Sequence, residues 1–377
     1  MHKFKSFLEL EEKKMAPKIS ANRGDVAEII LGAAVTARFF HPPQIDTKIT
    51  RAHVDGILKK VLRSKSVTIQ RPDKKVGAVE IDDNIKFKVG VPAKAWSFIS
   101  DPKNWKLVDD LFDGAIAYSN SDRRLRGQAF NMYANNKQDD IFVNSDGTGD
   151  QTGTKADIKL LINGKEAPQQ ISLKVDGGEQ FGQVAGMTFD KQLTLWSRLG
   201  VNVSSAEKAF NKKIEGMDLK MRFADRGSTE MRALGAAIRA AVGESYKVAT
   251  KQLQTRLPAN KLSSFLKIAA TKNDPSIELV KLVKGDFKRA KFGRNFEKNL
   301  KDMLPNLKIE FEMKTDPIVH IYDPKIAPKQ SAKGRLIRVR GFYQQPSSKT
   351  AAGKTYGIYL RNIIEAGDLL FAIATDR

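Results

Sequence analysis

Two short apolar segments, residues 154–162 and 170–175, are joined by a connection that contains Gly164 and Pro168. Apolar runs bounded by Gly and Pro in this way are typical of two strands of a β-hairpin. Asp157 lies near the start of the first segment and Lys174 near the end of the second. A hairpin therefore predicts that Asp157 and Lys174 lie on adjacent strands, with their side chains on the same side of the sheet and within several Å of each other.

The segments around this pair alternate between helical and strand patterns. Residues 24–40 place apolar side chains at three- and four-residue spacing, which predicts a helix, and Pro42 and Pro43 end it. A helix is also expected from Thr50, a small β segment over 66–92, helices near 103–118 and 121–135, a strand over 140–144, and a long helix from about Glu179 to Leu199.

The charge of the chain favours a polyanionic partner. Lys and Arg number 65 against 43 Asp and Glu, which gives a formal net charge of +22. No long apolar anchor accompanies this charge, so nucleic acid is favoured over a membrane, and no window predicts a bilayer-spanning helix. The first residues lack the pattern of a signal peptide, so we expect a cytoplasmic location.

The metal chemistry open to the chain is restricted by its composition. It has no cysteine and only four scattered histidines, which argues against disulfides, thiolate zinc sites and histidine-built zinc sites. Any metal is therefore expected to be a hard cation held by oxygen ligands, Mg²⁺ or Mn²⁺.

A length of 377 residues predicts two or three domains. We divide the chain into a charged N-terminal arm (1–23), a core (24–200), a basic helical segment (201–305) that includes helices over 259–271, 276–284 and 294–303, and a β-rich basic part (306–377). From Pro324 to Ile364 the sequence has nine Lys/Arg and no acidic residue. The candidate nucleic-acid contacts in the two basic parts are Lys288, Arg289, Lys291, Arg335, Arg338 and Arg340.

The order of elements around Asp157 and Lys174 resembles the PD-(D/E)XK nuclease superfamily, over residues 24–200. The resemblance implies an α/β (α+β) restriction-endonuclease-like αβββα core with a central mixed sheet. It also implies a glutamate on the first helix, a metal-binding aspartate on the middle strand, an acid-x-Lys motif on the next strand and a glutamine at the start of the following helix. In this chain the matching residues are Glu28, Asp157, Lys174 and Gln180 or Gln183.

One position departs from the family pattern. The acid expected two residues before the lysine is Ser172, so another carboxylate, from Glu28, Glu179 or Glu166, has to complete the metal shell. The resemblance implies a Mg²⁺ or Mn²⁺ site formed by Asp157, Glu28 and the carbonyl of Leu173. Ser172 then lies beside the metal, and Lys174 orients the attacking water and balances phosphate charge.

Each of these residues also has a structural interpretation. Asp157 could cap a strand or pair with Lys155 or Lys159, and Lys174 could belong to an exposed strand face. The sequence thus predicts a metal-dependent DNA nuclease, with a non-catalytic nucleic-acid-binding or phage structural protein as the alternative. The segments Phe4–Leu8 and Tyr356–Leu370 resemble those of bacteriophage proteins, and a homodimer is left open.

Overall fold

The computed structural model describes residues 23–41, 47–63, 67–70, 75–90, 92–135, 139–145, 156–167, 170–175, 180–187, 189–217, 221–222, 227–271, 274, 276–283, 285–343, 355–356 and 360–375. Residues 1–22 of the predicted N-terminal arm lie outside this set. The chain has a mixed α/β architecture and divides into two compact units. Unit 1 is formed by Met1–Gly178 with Asp274–Ala290, and unit 2 by Glu179–Asn273 with Lys291–Arg377.

Unit 1 has five α-helices among its described residues, and the first of them is buried between the others and the sheet. The helices are α1 (Arg23–Phe40), α2 (Arg51–Arg63), α3 (Pro92–Ser100), α4 (Trp105–Ser121) and α5 (Arg123–Ala134). Buried side chains lie all round α1 because it packs against α2 and α4 as well as against the sheet. A methyl group at Gly32 would overlap Ser145 Oγ, so this glycine permits the close approach of α1 to the sheet.

The main sheet of unit 1 has six strands in the order β1-β2-β3-β4-β5-β6. They are β1 (Val67–Gln70), β2 (Lys75–Asp82), β3 (Ile85–Val89), β4 (Ile141–Ser145), β5 (Lys159–Ile162) and β6 (Lys165–Glu166). The pair β3–β4 is parallel and the other pairs are antiparallel. The helices and strands predicted for residues 24–144 are confirmed, with shifts of a few residues at their ends.

The predicted hairpin is wrong in its pairing. Asn163 and Gly164 have positive φ angles of 52° and 75°, and they form a tight turn that joins β5 to β6. The segment Gln170–Lys174 (β7) meets the β5 segment at an isolated bridge between Ile158 and Ile171. Next to this bridge the Gln170 side chain takes the place of a strand partner, because it bonds to both the N–H and the C=O of Leu160 at 3.1 and 2.9 Å.

The main partner of β7 comes from a distant part of the sequence. Strand β10 (Ile277–Val283) lies parallel to β7, and β11 (Asp286–Ala290) lies antiparallel to β10. The prediction of a helix over 276–284 is therefore wrong. Most of β10 is buried, and a fully buried parallel strand is a continuous apolar run whose periodicity does not distinguish it from a helix.

Unit 2 begins with a strand where a helix was expected. Residues Gln180–Met187 form β8, which pairs with β16, and helix α6 covers only Phe189–Arg198. The prediction of one long helix from Glu179 is wrong, and so is the placement of Gln180 at a helix start. Gly182 and Gly186 lower the helix propensity of this stretch, and pairing with β16 decides its conformation.

The rest of unit 2 combines helices with a five-stranded antiparallel sheet in the order β12-β13-β14-β16-β8. Its helices are α7 (Val203–Ile214), α8 (Thr229–Thr255), α9 (Ala259–Thr271), α10 (Arg294–Met303) and α11 (Asp368–Ala374). Its remaining strands are β9 (Met221–Arg222), β12 (Lys308–Met313), β13 (Pro317–Tyr322), β14 (Arg335–Tyr343), β15 (Thr355–Tyr356) and β16 (Leu360–Ala366). The β-rich nature of the C-terminal part is confirmed, and α8 packs against β12, β13 and β14.

Candidate active site

Asp157 lies where backbone pairing between the β5 segment and β7 gives way to side-chain bonds. The N–H groups of Asp157 and Ile158 donate to the carbonyl of Ile171 at 2.7 and 2.9 Å, and the Ile171 N–H donates back to Ile158 at 2.9 Å. Two residues further along β7, the Asp157 carboxylate accepts the Leu173 N–H at 2.6 Å. The side chain therefore fills the place that a backbone carbonyl would take in a continuous ladder.

Oδ2 of this carboxylate accepts all three hydrogen bonds that described residues donate to the Asp157 side chain. Asp157 Oδ2 accepts from Leu173 N, from Ser172 Oγ at 3.2 Å and from Lys174 Nζ at 3.5 Å. The side chains of Asp157 and Lys174 are 22% and 18% exposed, so the ion pair is only partly open to solvent. The predicted proximity of Asp157 and Lys174 is confirmed, although the hairpin that predicted it is not present.

Within the described part of the chain, the other carboxylate oxygen is open. Asp157 Oδ1 forms no hydrogen bond with any residue that the structure describes. The N–H and C=O of one residue in an extended strand point the same way, so the Leu173 carbonyl faces the side on which its N–H meets Asp157. A carboxylate oxygen and a carbonyl oxygen are hard donors, and they fit the ligand preference of Mg²⁺ or Mn²⁺.

Ser172 occupies the position at which an acid was expected. It is 2% exposed, and its hydroxyl donates to Asp157, so it orients the carboxylate without adding negative charge. Within the described part of the chain, no group of three or more Asp, Glu or His side chains is arranged to hold a metal ion.

Sequence reasoning missed a second lysine next to this pair. Lys281 on β10 lies in register with Lys174 on the parallel strand β7, so both side chains project from the same face of the sheet. Lys281 is 9% exposed. The two lysines are more than a hundred residues apart in sequence, and β10 was predicted as a helix, so no local signal linked them.

Glu28 is half-buried on α1, which packs against β7. The buried residues of α1 share one core with Ile171 and Leu173, whereas Ser172 and Lys174 alternate with them and project to the other face of β7. The part of Glu28 in a metal shell stays a prediction.

The three arginines predicted on β14 differ in their surroundings. Arg335 is 0% exposed and donates to the carbonyl of Gln330 at 3.0 Å, so its prediction as a nucleic-acid contact is wrong. Arg338 and Arg340 lie on one face of the strand, as predicted, and both approach the carboxylate of Glu365. Arg340 is the more open of the two, at 37% exposure.

The basic residues near β11 differ in their exposure to solvent. Arg289 forms ion pairs with the buried Asp122 and, at 3.1 Å, with Glu278, and it lies over the ring of Tyr118. Lys288 and Lys291 are exposed. Their role in binding nucleic acid stays a prediction, and the ion pairs of Arg289 favour a structural role for that residue.

In unit 2, the sheet face that carries Arg338 continues onto β12 and β13, where acids and bases pair with one another. His320 Nε2 lies 2.9 Å from Glu312 Oε2, and the imidazole is 2% exposed. Burial lowers the pKa of His320 below its usual value, against the opposing effect of the bond to Glu312. The hydrogen bond from Lys308 is the largest cause that lowers the pKa of Glu310 to about 2, with a further bond from Lys329.

Comparisons with protein-family models, with curated proteins and with solved structures find no match for this chain. No helix among the described residues is long and apolar enough to cross a membrane.

Proposed function

We propose that the protein is a metal-dependent DNA nuclease whose site is built on Asp157 and Lys174. The observation that carries this proposal is the 3.5 Å approach of Lys174 Nζ to an Asp157 carboxylate that keeps its second oxygen open among the described residues. A carboxylate beside a lysine, at a point where two strands separate, provides a hard ligand and a cation within reach of one phosphate group.

The residues at the site have distinct roles in this proposal. Asp157 and the Leu173 carbonyl would hold Mg²⁺ or Mn²⁺, and Glu28 is the candidate for a further carboxylate. When bound, such an ion neutralises phosphate charge and lowers the pKa of a coordinated water. Lys174 holds the attacking water and balances the charge of the phosphate, while Ser172 fixes the orientation of Asp157 through its hydroxyl.

One observation favours a second function, nucleic-acid binding without catalysis. Ser172 stands where the PD-(D/E)XK pattern has an acid, and Asp157 Oδ2 is already bonded to three protein donors. A non-catalytic nucleic-acid-binding protein, or a phage structural protein that contacts DNA, would keep this arrangement as a structural element.

The deciding experiment is incubation of the purified protein with linear, circular and single-stranded DNA in the presence of Mg²⁺, Mn²⁺ or a chelator. The nuclease proposal expects cleavage that requires metal and disappears in Asp157→Ala prepared in the same way. Asp140→Ala is a matched control, because Asp140 forms a 3.0 Å ion pair with Lys86 but is 56% exposed on the same unit. Absence of cleavage with every substrate and metal, together with retained DNA binding, would support the binding protein instead.

A further inference from the structure

Helix α5 presents a line of arginine and aromatic side chains outside the candidate active site. Arg123, Arg126, Phe130 and Tyr133 follow one another at spacings of three and four residues, and all four are exposed. At 100° per residue they fall within an arc of roughly 80°. We call these four residues the α5 stripe.

The α5 stripe is not part of the core of unit 1. The helix buries its opposite side through Leu125, Ala129 and Met132, and this packing is what anchors it. Phe130 and Tyr133 are 42% and 46% exposed. Among the residues whose side-chain burial the structure describes, they are the aromatic side chains left this open, and they lie one turn apart on the same helix.

The charge of the stripe is unbalanced. Residues Arg123–Ala134 include three arginines and no acidic residue. The side chains of Arg123 and Arg126 form no hydrogen bond or ion pair with any described residue. The neighbouring acid, Asp122, is 1% exposed, caps the helix through the Leu125 N–H and pairs with Arg289, so it does not neutralise the exposed arginines.

We propose that the α5 stripe binds single-stranded DNA. This inference rests on the nucleic-acid substrate proposed above but not on catalysis. An aromatic ring on the surface stacks on the open face of an unpaired base, and an adjacent arginine pairs with the phosphate. A base-paired duplex covers its base faces, so two open rings favour a single strand. The stripe runs about 15 Å along the helix, enough for a short run of nucleotides.

The proposal is tested by fluorescence anisotropy of labelled oligonucleotides binding to the full chain carrying Asp157→Ala, with chelator present. The probes are a mixed-sequence single-stranded DNA, its duplex and the same sequence as RNA. The test variants are Phe130→Ala with Tyr133→Ala, and Arg123→Gln with Arg126→Gln. Tyr133→Phe keeps the ring, and Arg124→Gln removes an arginine of the same helix that lies about 100° from Arg123.

The aromatic double variant is expected to weaken single-stranded DNA binding at least tenfold and duplex binding far less, because removing each ring removes the stacking of one base. The arginine double variant should weaken both and reduce the salt slope for the single strand by up to about 1.4. Tyr133→Phe and Arg124→Gln should bind like the parent. Equal or stronger binding of the RNA probe would assign the stripe to single-stranded RNA and overturn the choice of DNA.

Unchanged single-stranded binding by a folded aromatic double variant would overturn the proposal. A change in oligomeric state on size-exclusion chromatography without loss of binding would assign the stripe to a protein contact and also overturn it. The nuclease proposal is judged separately by cleavage with the Asp157-containing protein. A protein that does not cleave DNA but needs the stripe for binding refutes the nuclease proposal and keeps this one.

Discussion

The Asp157 site of unit 1 and one face of the unit 2 sheet are both built from acids and bases on neighbouring strands. We call that face, which carries Glu312, His320, Arg338, Arg340 and Glu365, the charged face. On the unit 2 face, Glu365 approaches Arg338 and Arg340, and Glu312 binds His320. At Asp157 the donors converge on one oxygen and leave the other open among the described residues. Charges that neutralise one another stabilise a sheet, whereas a carboxylate with an open oxygen can still take a ligand.

The difference also bears on the basic composition of the chain. Counting lysines and arginines directs attention to residues 324–364. The structure shows that Arg335 of that segment is buried and that Arg338 pairs with Glu365, while the α5 stripe, in an ordinary-looking helix, has arginines without described partners. Whether a charge is available to DNA depends on its neighbours in three dimensions.

The change Asp157→Asn tests the open carboxylate oxygen most directly. The amide keeps an oxygen that can accept the Leu173 N–H, so the fold is retained, but it is a poor ligand for Mg²⁺. Metal-dependent cleavage is expected to fall by about a hundredfold or more, comparable to the loss of one charge-stabilising group in an enzyme site. Initial cleavage rates at saturating Mn²⁺ measure this. Rates equal to those of the parent would place the chemistry elsewhere.

The second prediction concerns the charged face. Glu365→Gln leaves Arg338 and Arg340 on one strand face without their shared carboxylate, and we expect a loss of about 2 kcal/mol in the free energy of unfolding. Urea denaturation measures it. Glu310→Gln is the control and should cost less, because one of its two partners, Lys308, is 59% exposed. A weaker salt dependence of DNA binding in Arg338→Gln with Arg340→Gln would instead make this face a DNA surface.

The third prediction restores the missing acid. Ser172→Glu adds a hard ligand beside Asp157, so Mn²⁺ should raise the melting temperature of the variant by several degrees more than that of the parent. If the site takes no metal, the new carboxylate lies next to another in a position that is 2% exposed. Like charges at such a place cost stability. Thermal unfolding with Mn²⁺ or chelator distinguishes the two, and a destabilised variant that ignores metal contradicts the nuclease proposal.

The smallest expected effect is a pH dependence that belongs to unit 2. Because burial lowers the pKa of His320, the folded protein binds fewer protons than the unfolded chain below about pH 6.5, and stability falls as the pH drops through that range. Glu310, with a pKa of about 2, extends the loss below about pH 4.5. In His320→Gln the melting temperature should change less between pH 6.5 and 5 while the loss at lower pH remains. An unaltered profile would exclude His320 as the cause.

The local patterns of the sequence predicted several elements correctly. The apolar spacing of residues 24–40 predicted α1, and the composition of residues 306–377 predicted a β-rich part, which contains β12 and β13. The approach of Asp157 to Lys174 was predicted too, although from a hairpin pairing that the structure replaces with an isolated bridge. The predictions of single helices and strands depend on neighbours within a few residues, where periodicity carries the information.

Tertiary structure decided the remaining features. Residues 277–283 are compatible with a helix or a buried strand. Pairing with β11 and β7 makes them a strand, and the parallel register with β7 places Lys281 beside Lys174. Residues 180–187 become a strand because β16 supplies a partner. Local patterns identified Asp157 and Lys174 as an acid and a lysine that meet, but predicted the wrong strand pairing between them. Long-range pairing decided which strand lies beside them and which arginines are already neutralised, because hydrogen-bond partners and burial come from residues that are distant in sequence.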